Sequence, residues 1–194
     1  MFIVITGLDG SGTTSIGKQL HELDEGSYLF KTPSEEYYNR DAMDTKVRKE
    51  STLAHMLYYL SSTVYMSDYI KNNCDIKYRN VYLVRYLIDT VVSNRVAGID
   101  IDMNYNIYNH QLLVPDLTLF ITLNEEMRQE RITRRGKSEL DKVLDDNEKR
   151  IRFYEEFRRN LPENTIFVNN DSKDINSTVN EVYKKIKTME KRRR

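Results

Sequence analysis

Residues 2–20 read Phe2-Ile3-Val4-Ile5-Thr6-Gly7-Leu8-Asp9-Gly10-Ser11-Gly12-Thr13-Thr14-Ser15-Ile16-Gly17-Lys18-Gln19-Leu20. Phe2 to Thr6 is a continuous, β-branched run too short for a helix, which predicts a buried strand. Gly7 to Thr14 is a glycine-rich turn. A helix follows, with Ile16 and Leu20 on one stripe. In this order the three segments make a phosphate cradle. Glycines let backbone N–H groups turn inward, and the helix N-terminus adds partial positive charge. The candidate cradle residues are Gly7, Gly10, Ser11, Gly12, Thr13, Thr14 and Ser15. Their spacing is that of G-x-x-x-x-G-K-[ST], with one departure. The lysine position holds Thr13, while Thr14 keeps the hydroxyl that would touch a metal ion. A second register ending Gly17-Lys18-Gln19 supplies a lysine, but it starts inside the helix and ends without a hydroxyl.

Outward from this stretch, the chain continues to 194 residues with 30 basic and 30 acidic side chains. A formal charge of zero gives no global drive towards nucleic acid polymers or acidic membranes. The single cysteine, Cys74, excludes an intrachain disulfide framework and fits a reducing compartment. The apolar start is short and lacks a basic leader, so it reads as a first strand rather than a signal peptide. No run approaches membrane-spanning length. The expectation is one soluble, cytoplasmic domain over residues 1–194.

Further strands are expected at Ser27–Phe30, Val81–Val84, Leu117–Leu123 and Thr165–Val168. A long helix is expected over 45–73, with Leu53, Leu57, Leu60 and Val64 as its core-facing stripe. Tyr58, Tyr59, Tyr65 and Tyr69 fall on its other faces, as packing residues with hydroxyls at water. Helices are also expected over Ile88–Arg95, Glu125–Arg135 (stopped by Gly136) and about 140–160. The last helix carries Ile175, Val179, Val182, Ile186 and Met189, with a frayed tail from Lys191 to Arg194. Residues 97–110 read as an insertion at the site. Strands alternating with helices predict a five-stranded parallel α/β sheet flanked by helices. Ligands of such sheets bind beyond the carboxyl ends of the strands. That rule gathers the glycine loop, Lys31 to Pro33, Arg85-Tyr86 and the basic helix around one cleft.

Phosphoryl transfer needs a cradle, a metal held by a hydroxyl and a carboxylate, and cations on the transferring group. Thr14 is the candidate metal hydroxyl. Arg128, Arg131 and Arg135 share one helical face that could close over a triphosphate as a lid. Arg85, directly after a strand, could grip a phosphate of a second substrate. Asp9 could accept from a sugar hydroxyl or bond its own turn. His21, His55 and His110 are scattered and suggest no metal triad.

The chain resembles the thymidylate kinase family of nucleoside monophosphate kinases over nearly its whole length. Gly7 to Ser15 resembles the loop G-x-D-G-x-G-K-[ST]-[ST]. Phe30 to Pro33 stands where the family has a segment ending in Glu-Pro. Val84-Arg85-Tyr86 resembles D-R-[YH], and Pro115-Asp116-Leu117-Thr118 resembles P-D-L-T. Glu130-Arg131-Ile132 and Arg135-Gly136 resemble the lid pattern E-R-x-x-x-R-G, followed by Leu140-Asp141. Asn170 and Ser172 fall near the loop under the adenine.

The resemblance implies a P-loop NTPase three-layer fold with an arginine-rich lid at about 128–142. It implies ATP and Mg2+ as cofactors, nucleotide substrates and a homodimer. It assigns Arg85, Arg131, Arg135 and Asp9 to catalysis, Arg131 and Arg135 also to the triphosphate, and Asp9, Phe30, Pro33, Arg85 and Tyr86 to the acceptor. The departures are Thr13 for lysine, Val84 for aspartate, Thr32 for glutamate, and no recognisable Asp-Arg in 61–68. Three functions stay open: a kinase in which the lid, Lys18 or Lys31 replaces the missing cation, a catalytically silent nucleotide-binding homologue, and a cleft with a changed reaction.

Overall fold

The computed structural model describes residues 1–194 except 108, 109, 138, 173 and 194, and of 139, 140, 192 and 193 the backbone alone. In chain order the elements are β1 (Phe2–Gly7), α1 (Thr13–Leu23), β2 (Tyr28–Lys31), α2 (Arg40–Ala42), a π-helical turn (Met43–Val47), α3 (Arg48–Glu50) and α4 (Thr52–Asn73). Then come β3 (Val81–Val84), α5 (Leu87–Val96), β4 (Asn106–Ile107), β5 (His110–Gln111) and β6 (Leu117–Thr122). The chain ends with α6 (Glu125–Arg135), α7 (Glu139–Val143), α8 (Asn147–Asn160), β7 (Thr165–Asn169) and α9 (Ile175–Arg193).

Five strands form one parallel sheet in the order β2-β3-β1-β6-β7. β1, β3 and nearly all of β6 are buried, which is why their sequences are apolar runs without alternation. One face of the sheet packs on α1 and α9, where Ile16, Leu20, Val179, Val182 and Ile186 meet Ile3, Ile5 and Leu119. The apolar stripe of the last helix therefore lands on the core. The opposite face packs on α4 and α5 through Phe2, Val4, Leu60, Ile70 and Val91. A third cluster joins Leu8 and Phe120 to Ile88, Leu144 and Phe157, and seats α8 beside α5. Below the sheet, buried Asp24 accepts hydrogen bonds from Asn80 Nδ2 at 2.7 Å, Tyr82 Oη at 2.8 Å and Lys187 Nζ at 2.7 Å. Burial opposes its charge, but these donors outweigh burial and lower its pKa. The network ties α9 to the sheet.

Four expectations are corrected. The helix expected over 45–73 begins at Thr52, because Ser51 is extended and its hydroxyl caps Ala54 N–H. Leu53 and Leu57 are 55% and 46% exposed, so they are not core residues. The buried line of α4 runs through Met56, Leu60, Thr63, Ser67 and Ile70, whose small polar members hid it from an apolar pattern. The helix expected over 140–160 is two, divided where Asp146 caps Glu148 N–H and Lys149 N–H. The tail expected to fray is helical to Arg193, and Arg194 lies outside the described residues. The stretch 97–110 holds β4 and His110, the first residue of β5; residues 108 and 109 lie outside the described set.

Candidate active site

One cleft of about 1010 Å³ opens at the carboxyl ends of the strands. The glycine loop forms its floor. Gly12, with φ +100, starts α1 without a side-chain cap, so the first turn's N–H groups face the cleft for an anion. Gly10, Gly12, Thr13, Thr14 and Ser15 line the cleft. Thr13 is almost buried, whereas Thr14 and Ser15 are exposed. Gly7 and Ser11 stand below them. The Gly7 carbonyl accepts from Arg85, and Ser11 is buried with its hydroxyl unpaired.

The basic helix α6 is docked on this loop. A Cβ at Gly10 would stand 2.8 Å from Ile132 Cγ1 and 3.0 Å from Arg128 Cγ, so only glycine allows the approach. Arg128 is fully buried, is paired with Glu125 at 2.8 Å and donates to the Asp9 carbonyl. It is a strut, and its expected place on the phosphate-facing surface is corrected. Arg131 and Arg135 do line the cleft. Arg131 donates to the Ser11 and Asn170 carbonyls at 3.4 and 3.3 Å. Arg135 pairs with buried Asp141 at 2.6 Å. Asn170 is buried beneath the loop and donates to the Ser11 carbonyl at 2.7 Å, and Ser172 lines the cleft. The side chain of Leu140 lies outside the described residues.

Arg85 sits at the centre. Among the described residues it is the one non-glycine with positive φ, at 70°. Its guanidinium lies between Asp9 and Asp89, each at 2.7 Å. Burial works against its charge, but the two carboxylates outweigh burial and raise its pKa. Asp89 also accepts from Thr6 Oγ1 at 2.8 Å and from Tyr86 N–H at 3.0 Å, which ties down the start of α5. Tyr86 borders the cleft, but its hydroxyl turns away to the Leu113 carbonyl. Pro33 lines the cleft after a cis bond from Thr32. Phe30 does not line it: the ring packs against Tyr28 and Tyr69 in the core, because strand alternation turns it from the cleft that Lys31 enters.

The sequence reading missed a polar corner. Asp44, on the π-helical turn, accepts from His55 Nε2 at 2.9 Å and Tyr59 Oη at 2.7 Å, and lies 3.5 Å from Arg40 Nε. Burial opposes the Asp44 charge, and these partners outweigh it and lower its pKa; burial raises that of Tyr59, with Arg40 opposing the rise and Asp44 adding to it. All four residues line the cleft. His55 looked isolated and Tyr59 looked like packing because their partner lies eleven or more residues earlier, beyond the helix break at Ser51. Lys31 also opens to the cleft. Partial desolvation, and then the charges of Arg40 and Arg85, lower its pKa. Lys18 is exposed and does not line the cleft. Among the described residues, no group of three or more His, Cys, Asp or Glu side chains could hold a metal by itself.

Residues 5–182 match the model of the thymidylate kinase family. A thymidylate kinase of Brachyspira hyodysenteriae is 28% identical over 141 residues, 67% of this chain and 66% of that one. A probable thymidylate kinase of Methanocaldococcus jannaschii is 27% identical over 190 residues, 94% of this chain and 93% of its own. Among solved structures, thymidylate kinase from Candida albicans superposes with a TM-score of 0.71 at 21% identity, covering 97% of this chain and 92% of that chain. Deoxyadenosine kinase from M. mycoides with bound dATP gives 0.72 at 21% identity, covering 96% and 100%. At such identities the structural likeness speaks to the fold.

Proposed function

The chain belongs to the thymidylate kinase family, and on that premise we propose that it moves the γ-phosphoryl group of ATP to a nucleoside monophosphate. The observation that carries this reading is convergence. The glycine loop, Arg85, Arg131 and Arg135 border one cleft large enough for two nucleotides. Acceptor specificity need not be for thymidine monophosphate, because the corner of Arg40, Asp44, His55 and Tyr59 is polar and charged. A modified or unusual nucleotide is a natural acceptor.

In this reading the first-turn N–H groups of α1 cradle the donor phosphates. Arg131 and Arg135 neutralise their oxygens, and Arg85 holds the acceptor phosphate, fixed by Asp9 and Asp89. Asp9, Pro33 and the edge of Tyr86 border the acceptor. Catalysis is then positioning and charge stabilisation, without covalent help from the protein. Magnesium fits this donor set. Thr14 offers a hydroxyl, and Asp9 and Asp89 bring carboxylates to the same cleft, enough for an ion that takes most ligands from water and phosphate. When bound, it would neutralise charge on the phosphates.

We further propose one domain over 1–194 with a lid at about 128–142, anchored on the loop through Arg128 and Ile132. We propose a homodimer, supported by the exposed Leu53 and Leu57 of α4, and a cytoplasmic location, supported by the single unpaired Cys74. Sedimentation as a monomer at high concentration would remove the dimer.

The activity is tested by mass spectrometry of Mg2+-ATP with a panel of nucleoside monophosphates and nucleosides, with Thr14→Ala as control. A diphosphate product absent from the control names the acceptor. Nucleotide binding by calorimetry without any product would establish a silent binding protein instead, the reading that Thr13 favours.

A further inference from the structure

This chain carries Thr13 where the family's loop has a lysine, and the fold offers a replacement for the missing charge. Leu29 Cδ1 lies 3.4 Å and Val84 Cγ2 2.9 Å from where a Cβ at Gly17 would stand, so both side chains face α1. Lys31 shares the face of Leu29 by strand alternation, and it is the register partner of Val84. Thr13 stands four residues before Gly17, about 6 Å up the helix, which runs antiparallel to the strands. Val84 and Ile5, which approach that Cβ position more closely than Leu29, are in register with Lys31, so the Lys31 backbone stands level with Gly17, about one helical turn from Thr13, and its side chain lines the same cleft as Thr13 and Thr14.

Apart from Arg48, the other cations of this cleft are engaged. Arg85 is held by Asp9 and Asp89, Arg135 by Asp141, Arg40 by Tyr59, and Arg131 by the loop carbonyls. Lys31 has no hydrogen bond or ion pair among the described residues. Arg48 is in the same state, but it lies on α3, beyond the corner formed by Asp44. Val84 matters here as well. An aspartate on the neighbouring strand at that register position would stand beside Lys31 and neutralise it; valine places no carboxylate there.

We propose that Lys31, reaching from β2, supplies the positive charge on the transferring phosphoryl group that the loop does not. The proposal rests on the kinase reading above. In the transfer an acceptor phosphate oxygen forms a bond to the γ-phosphorus, and the bond from that phosphorus to the β–γ bridging oxygen breaks. The bonding electrons leave with ADP, and Lys31 exchanges no proton. Thr13, Val84 and Lys31 thus form one rearranged corner, with the cation moved from helix to strand and the opposing carboxylate removed.

The test uses the full chain, Mg2+-ATP and the best acceptor from the monophosphate panel. Lys31→Met should lower kcat about a hundredfold with acceptor KM within threefold, and weaken ATP binding by calorimetry about tenfold while sparing ADP. Adding Thr13→Lys to that variant should restore kcat at least tenfold, whereas Thr13→Lys should not rescue Arg85→Ala. Val84→Asp alone should lower kcat about tenfold. A Lys31→Met variant with full kcat, or altered only in acceptor KM, would overturn the assignment while leaving the kinase reading intact. So would a failure of Thr13→Lys to rescue. No product from the wild-type protein would overturn the kinase reading and this assignment with it.

Discussion

Asp89→Asn tests how the central arginine is held. Asp89 makes three contacts: Arg85 Nη1 at 2.7 Å, Thr6 Oγ1 at 2.8 Å and Tyr86 N–H at 3.0 Å. Asparagine keeps the volume but loses the charge, and its amide can present only one oxygen to three donors. A hydrogen bond to a charged group contributes about 1.5–3 kcal/mol, and a helix cap about 1 kcal/mol. The contacts share one carboxylate and do not add, so the loss is about 2–3 kcal/mol. For a domain of this size that is a fall in Tm of roughly 4–12 °C. The effect on turnover should exceed the effect on folding. Arg85 occupies a φ of 70° that a non-glycine residue adopts only under constraint. With Asp89 neutral, Asp9 alone draws the guanidinium, and a displacement of about 1 Å at a reacting group can cost about a hundredfold in rate. The assay is kcat and acceptor KM alongside thermal melting, with Asp89→Glu as a charge-retaining control. An Asp89→Asn variant within threefold of wild type in kcat/KM, with Tm within 2 °C, would refute the reasoning.

Arg131→Ala and Arg135→Ala should each weaken triphosphate binding about tenfold by calorimetry, as loss of one charge-assisted contact of ~1.4 kcal/mol implies; unchanged affinity in both would count against the lid. Gly10→Ala should destabilise the fold by at least about 1–3 kcal/mol, because its Cβ meets Ile132 and the φ is +86; an unshifted denaturation midpoint would show that α6 is not seated on the loop. Asp24→Asn should cost about 1–3 kcal/mol at neutral pH, leaving Lys187 with Glu190 as its one carboxylate partner among the described residues. The Asp24 pKa is depressed by folding, so its stabilisation is present above the unfolded carboxylate pKa and lost as pH falls through the folded one. The gap between Asp24→Asn and wild type should therefore close in acid, and a gap constant down to pH 2 would contradict the assignment.

The sheet was legible because every central strand is a solid apolar run, and such runs have few other uses in a chain of this length. Val81–Val84 and Glu125–Arg135 were read to the residue, since an abrupt change of composition bounds each. The reading failed where a single polar cap divides a helical pattern. Ser51 and Asp146 are ordinary residues within helical stretches until their oxygens take a backbone N–H, and only the three-dimensional path decides that. The buried face of α4 was missed for a related reason: Thr63 and Ser67 are buried because they are small, which a count of leucines does not register.

The site was legible where chemistry is local in sequence and illegible where it is assembled from afar. The loop and Arg85 follow strands directly, so the rule that ligands meet strand ends was enough to gather them. Arg128, Arg131 and Arg135 have the same spacing argument, yet they divide: the turn that buries Arg128 against Asp9 is the one that leaves Arg131 and Arg135 to the cleft. Their difference comes from where Gly10 lets the helix rest, not from their own spacing. The polar corner goes further still. Asp44 organises His55 and Tyr59 only because the π-helical turn and the break at Ser51 fold the segment back over the start of α4. A base meeting this corner faces an ionised carboxylate and a guanidinium fixed in one geometry. Tyr59→Phe leaves volume unchanged but frees Arg40 from the phenolic oxygen and takes one donor from Asp44. If the corner reads the acceptor, this change should raise acceptor KM about tenfold and leave ATP affinity alone. A KM unchanged for every acceptor that the protein takes would mean that the network serves only to fold the turn, and that base selection lies elsewhere in the cleft.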